Sequence, residues 1–101
     1  MKVYLLLGTN IEPRLEFLRS ALGLIQAQVG AIVQQSKVYE TAAWGKENQS
    51  DFLNLAIAVE ADFEPATLLA KLKAIEGIAG RQQREVWGKR EIDIDILLME
   101  D

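Results

Sequence analysis

The 101-residue chain contains no cysteine and no histidine. Those two absences exclude disulfides, thiolate nucleophiles, the usual zinc sites and the commonest general base. No Ser-His or Cys-His pair is available for covalent catalysis. No apolar run approaches the ~20 residues of a membrane span, and the opening run at residues 3–7 falls short of an export signal, whose apolar core alone has about 7–15 residues followed by a cleavage site. A soluble cytoplasmic protein is therefore expected. Basic residues are outnumbered 11 to 15, for a formal net charge of -4, so the whole-molecule field attracts neither nucleic acid nor an anionic membrane surface. Neither G-x-x-x-x-G-K-[ST] nor G-x-G-x-x-G occurs, so a nucleotide would have to be held without a Walker loop or a dinucleotide fingerprint.

What is present has an ordinary globular balance, 50% hydrophobic and 26% charged, in a length that suits a single domain over 1–101. Residues 3–7 read as a buried strand ended by the turn cluster Gly8-Thr9-Asn10. Pro13 then opens a helix whose Leu15, Leu18, Leu22, Ile25 and Val29 recur at three- and four-residue spacing up to Gly30. Residues 32–41 mix Val, Tyr and Thr with polar positions, the pattern of an edge strand. After the loop "AAWGKENQSD", residues 52–61 alternate, with Leu53, Leu55, Ile57 and Val59 on one face and Phe52, Asn54, Ala56, Ala58 and Glu60 on the other. Pro65 opens a second helix with Leu68, Leu69, Leu72 and Ile75 inward, and Glu76 continues that stripe. A polar loop, "GRQQREVWGKRE", leads into a last strand at 92–99. The order βαββαβ predicts an α+β fold, a ferredoxin-like sandwich with a four-stranded antiparallel sheet and both helices on one face.

Chemistry concentrates at the end of the chain. In "WGKREIDIDILLMED", alternation sends Ile92, Ile94, Ile96 and Leu98 toward the helices and Asp93 and Asp95 to the opposite face, about 7 Å apart. Two carboxylates so placed can hold one or two Mg²⁺ ions that also bind substrate phosphates. Alone, the pair fits a solvated sheet face better, because half-buried strands alternate apolar and polar residues. The preceding loop changes the balance: Arg81, Arg84, Lys89 and Arg90 supply four cations suited to phosphate oxygens directly before the two carboxylates. That pairing describes a site for a metal-bound polyphosphate. Trp87 reads first as a cap on the core edge, and Trp44 as an anchor of the other loop. Phe52 can stack on a flat heterocycle while Asn54 reads its edge, since both share the aspartates' face. Glu76 reads either as the partner of a nearby arginine or as a support for the lid or nucleotide.

The segments "GTN", "YETAAWG", "QSDFLNLAIAVE", "IEGIAGR" and "WGKREIDIDILL" resemble, in order and across the whole chain, the 6-hydroxymethyl-7,8-dihydropterin pyrophosphokinases of folate synthesis. The last motif is the specific one. The resemblance implies a ferredoxin-like core, two Mg²⁺ ions, ATP as co-substrate, and transfer of the terminal diphosphate to the pterin's hydroxymethyl oxygen with release of AMP. By motif match, Asp93 and Asp95 bind the metals, and Arg81, Arg84, Trp87 and Arg90 belong to the ATP-covering loop, with Arg81 and Arg90 in catalysis. Thr41, Ala43, Trp44, Gly45, Phe52 and Asn54 line the pterin pocket, and Glu76 sits beside the nucleotide. Departures from the family pattern are Ala42 and Ala43 in place of two prolines, Lys89 in place of another, and Gln83 and Val86 where arginines are common. Family members also continue beyond the Asp-x-Asp strand into a segment that closes over the pterin; pairing with a second copy, as a homodimer, can partly replace that cover. A second class stays open: a truncated, non-catalytic homologue that binds Mg-nucleotide or a partner chain.

Overall fold

The structure is a computed structural model that describes residues 1–42, 51–80 and 92–100. The elements run β1 (Lys2–Thr9), α1 (Arg14–Gln28), β2 (Ala31–Gln35), β3 (Tyr39–Thr41), β4 (Phe52–Glu60), α2 (Pro65–Ala79) and β5 (Asp93–Glu100). The strands form one antiparallel sheet in the order β2-β4-β1-β5, and β3 also pairs with β4. This is the expected α+β sandwich.

The core follows from strand alternation. Val3, Leu5, Leu7 and Thr9 of β1 and Leu55, Ile57 and Val59 of β4 are buried against Leu18, Ala21 and Ile25 of α1 and Leu68, Leu72 and Ile75 of α2. Apolar burial on this scale, roughly 25 cal/mol per Å² removed from water, is the main force holding both helices to one face. The helical stripes differ in detail from the sequence reading. Leu15 and Leu69 are exposed, whereas Phe17 and Ala21 are buried, because each helix turns its stripe to meet the sheet and the other helix. Pro13 occupies the extended N-cap position rather than the first helical turn.

Among the described residues the sheet has five strands, not four, because the expected strand at 32–41 breaks in two. At the break the Ser36 amide donates to the Ala56 carbonyl at 2.8 Å, while the Ser36 hydroxyl accepts from the Ala56 amide at 3.0 Å. The side chain thus takes the acceptor position that a backbone carbonyl would fill, and the ladder resumes only at Tyr39. Nor do Gly8 and Thr9 form a turn after the first strand; both belong to β1, which ends at Thr9, and they pair with Asn54 and Leu53. In β5 the register shifts between Leu5/Ile96 and Tyr4/Leu98, which leaves Leu97 as an extra residue. This bulge overturns the inward assignment of Leu98: that side chain is 53% exposed, and Met99 packs on the core in its place.

Two glycines offer a direct test of the packing. At Gly30, between α1 and β2, a Cβ would run into the Glu60 carbonyl oxygen; at Gly23, inside α1, it would meet nothing. Gly30→Ala should lower the free energy of unfolding by roughly 1–3 kcal/mol through overpacking. Gly23→Ala should raise it by up to about 1 kcal/mol through helix propensity. Urea midpoints of the two variants check both signs.

Candidate functional site

The face of the sheet away from the helices carries the candidate residues, and β1 sets how they line up. Gly8 pairs with Asn54 on one side and with Asp93 on the other; Leu6 pairs with Ala56 and Asp95. Asn54 also pairs with Tyr39 of β3, and Phe52 with Thr41. One row across the sheet is therefore Tyr39, Asn54, Gly8, Asp93, and the next is Ala56, Leu6, Asp95. At two strand spacings, Asn54 and Asp93 stand about 10 Å apart.

Gly8 is the residue that the sequence reading missed. A Cβ here would lie 3.3 Å from the Asn54 Oδ1, closer than most side-chain contacts. The missing side chain leaves a hollow between the amide of Asn54 and the carboxylate of Asp93. Nothing in a linear sequence distinguishes such a glycine from a turn glycine, which is how "GTN" reads before the strand pairing is known.

Asn54 is half-buried, and its orientation is set by its donors. Its Nδ2 donates to the Thr41 hydroxyl at 2.9 Å and lies 3.4 Å from the Tyr39 carbonyl and 3.5 Å from the Phe52 carbonyl. Carbonyl oxygens only accept, so the nitrogen must face them and Oδ1 must overhang Gly8. Phe52 is half-buried and Thr41 exposed. The structure thus brings Thr41, Phe52 and Asn54 together at one end of the β3–β4 pair.

Asp93 and Asp95 point to the same face, as alternation requires. Asp95 is exposed; Asp93 is half-buried, with its Oδ1 withdrawn from solvent. The donor set fits Mg²⁺, a hard cation that often takes only one or two carboxylates and completes its shell with waters and substrate phosphate. Among the described residues no group of three or more His, Cys, Asp or Glu side chains could hold a metal.

Glu76 is only 6% exposed. Its Oε2 accepts from the Ile94 amide at 2.7 Å, and Oε1 lies 3.5 Å from the Lys73 ammonium. Ile94 is the residue between the two aspartates, so α2 grips the β5 backbone at the centre of the Asp-x-Asp motif. A charge-assisted bond of this kind is about twice as strong as a neutral one. It also occupies an outward amide of an edge strand, which a foreign strand would otherwise find open. Of the other expected site residues, Ala43, Trp44, Gly45, Arg81, Arg84, Trp87 and Arg90 lie outside the described residues.

Comparison with known proteins bears on the family and the fold. The pattern of the 7,8-dihydro-6-hydroxymethylpterin-pyrophosphokinase (HPPK) family matches residues 4–100. The 2-amino-4-hydroxy-6-hydroxymethyldihydropteridine pyrophosphokinase of Aquifex aeolicus is 43% identical over 99 residues, covering 98% of this chain and 61% of the relative. That of Bacillus subtilis is 38% identical over 96 residues, covering 94% of this chain and 58% of the relative. This chain thus spans about three fifths of the length of these curated relatives. Among solved structures, wild-type HPPK-DHPS of Plasmodium falciparum superposes with a TM-score of 0.74 at 21% identity, covering 95% of this chain and 28% of that one; at that identity the likeness speaks to the fold. With the family pattern running from β1 to the end of β5, the chain belongs to the 7,8-dihydro-6-hydroxymethylpterin pyrophosphokinase family.

Proposed function

We propose that this chain, as one domain, transfers diphosphate from ATP to the hydroxymethyl group of 6-hydroxymethyl-7,8-dihydropterin, releasing AMP. The observation that carries the reading is the row Asn54–Gly8–Asp93, which sets a polar ring-reading group about 10 Å from a metal-type carboxylate. Phe52 supplies a flat apolar surface for the pterin, and Asn54 Oδ1, fixed by the Thr41 hydroxyl, accepts from its ring. Asp93 and Asp95 hold two Mg²⁺ ions, whose contribution when bound is to neutralise and align the polyphosphate. The pterin hydroxyl oxygen attacks the β-phosphorus, the bond from that phosphorus to the α,β-bridging oxygen breaks, AMP departs with the electron pair, and the hydroxyl proton passes to solvent. Such a transfer depends on alignment and charge neutralisation rather than on a strong protein base, which suits a chain without histidine.

On the nucleotide side, the proposal assigns Arg81, Arg84, Trp87 and Arg90 to ATP, with Arg81 and Arg90 balancing the charge that develops in transfer. Ala43, Trp44 and Gly45 join the pterin wall. Glu76 serves the nucleotide through the strand it holds, since one of its oxygens is already committed to Ile94. Cytoplasmic location belongs to the same proposal, because ATP is supplied there; among the described residues no helix is long and apolar enough to cross a membrane. Association with a second copy would use the open face, where Leu98 is 53% exposed, rather than the edge of β5 that Glu76 occupies. Sedimentation at micromolar concentration should then show a dimer, and a monomer removes that part.

Two further measurements test the site. Asp95→Ala should abolish Mg²⁺-dependent ATP binding and AMP release while leaving the unfolding midpoint in place, whereas Glu76→Ala should weaken ATP binding and also cost about 1.5–3 kcal/mol of stability, as expected for a lost charged hydrogen bond. Unchanged ATP binding in Asp95→Ala rejects the metal assignment, and ATP binding without AMP release identifies a non-catalytic binding module. Gly8→Ala should displace the Asn54 amide and weaken pterin binding about tenfold, worth ~1.4 kcal/mol, with ATP affinity little changed; calorimetric titration of each ligand separates the two.

A further inference from the structure

Arg14, the first residue of α1, lies on the helix side of the sheet and ties together three separate stretches of chain. Its Nε donates to Glu12 Oε2 at 2.8 Å, and its Nη1 donates to Glu40 Oε2 at 3.0 Å and to the Asp51 carbonyl at 2.8 Å. The Arg14 side chain is 20% exposed, against 65% for Glu12 and 56% for Glu40. Single exposed ion pairs contribute little. Here, however, one planar guanidinium reaches three acceptors at once, and one of them is a backbone carbonyl that cannot swing away.

The positions of those acceptors matter more than their number. Glu40 pairs with Leu53 in the β3–β4 ladder, and its two neighbours, Tyr39 and Thr41, pair with Asn54 and Phe52. Asp51 immediately precedes Phe52. Arg14 therefore grips β3 and β4 from behind, at the end of the pair whose other face presents Thr41, Phe52 and Asn54. β3 is three residues long and, among the described residues, pairs with β4 alone, so its own ladder has little capacity to hold that end still. Hydrogen bonding to Glu40 is the main cause of a raised Arg14 pKa; the guanidinium is charged at any working pH even without it.

We propose that Arg14 is a positioning residue for the pterin wall, a staple from the start of α1 that sets the spacing of Thr41, Phe52 and Asn54 without touching the ligand. The inference rests on the pterin reading of that face. Support of this kind, from a residue behind those that contact ligand, holds binding groups within the few tenths of an ångström that affinity requires.

The test combines amide hydrogen exchange with binding of 6-hydroxymethylpterin, followed by its own fluorescence, and of Mg-ATP. In Arg14→Gln, exchange should quicken at residues 39–41 and 52–54 and not in β1. Pterin affinity should fall about tenfold while ATP affinity stays within about twofold, a split that general loss of stability does not produce. Arg14→Lys should recover part of the pterin affinity, and Arg14→Gln combined with Glu40→Gln should be no weaker than Arg14→Gln alone, as coupled partners require. Unchanged exchange at 39–41 and 52–54 overturns the staple, as does a parallel fall in both ligand affinities. A wild type that binds no pterin overturns the functional reading instead, and the exchange data still decide whether Arg14 holds the β3–β4 end.

Discussion

β1 runs between β4 and β5 with Val3, Leu5 and Leu7 buried beneath both helices, and its pairing with each neighbour decides which residues share a row on the opposite face. Because side chains alternate with a period of two, a slip of one residue on either side would send the aspartates or Asn54 into the core. The apolar residues of the slipping strand resist it, since it would also expose Ile94 of β5, or Leu55 and Ile57 of β4, to water. Core burial on one face thereby sets the geometry of the polar groups on the other. Gly8 can sit between Asn54 and Asp93 only because the buried residues on either side of it in β1 hold the register.

Around that central strand, two carboxylates perform contrasting tasks. Asp95 is exposed, on the face where a hard cation can reach it. Glu76 is buried and accepts the Ile94 amide from the edge of β5. A buried carboxylate is costly without donors, and the Ile94 amide and Lys73 ammonium offset part of that cost. The net effect is an edge strand held on one side by its ladder to β1 and on the other by a helix side chain. At the opposite edge of the candidate site, Arg14 bonds Glu40 of β3, a strand only three residues long, and the Asp51 carbonyl before β4.

Much of this was legible from residues alone. The alternation of Leu53, Leu55, Ile57 and Val59, and of Ile92, Asp93, Ile94 and Asp95, predicts both faces correctly because each run is long and strictly periodic. The second strand reads as continuous because Ser36 looks like any polar edge residue until its hydroxyl is seen accepting from Ala56. Leu98 reads as buried because a bulge adds a residue without altering composition or pattern. Leu15 and Leu69 fit their helical stripes, yet the rotation that packing selects leaves them in solvent.

The sequence by itself determined the element order apart from the break that divides residues 32–41 into β2 and β3, the inward faces of β1 and β4, the placement of Asp93 and Asp95 on one surface, and, through its motifs, the family. These are local properties, set by spacing along the chain. Only the tertiary structure decided that Gly8 is a strand residue between Asn54 and Asp93 in the candidate site, that Asn54 is oriented by Thr41, that Glu76 holds the peptide between the aspartates, and that Arg14 joins Glu40 to Asp51. Each of these depends on which residues from distant parts of the chain meet across a ladder, and no pattern along a single strand carries that register.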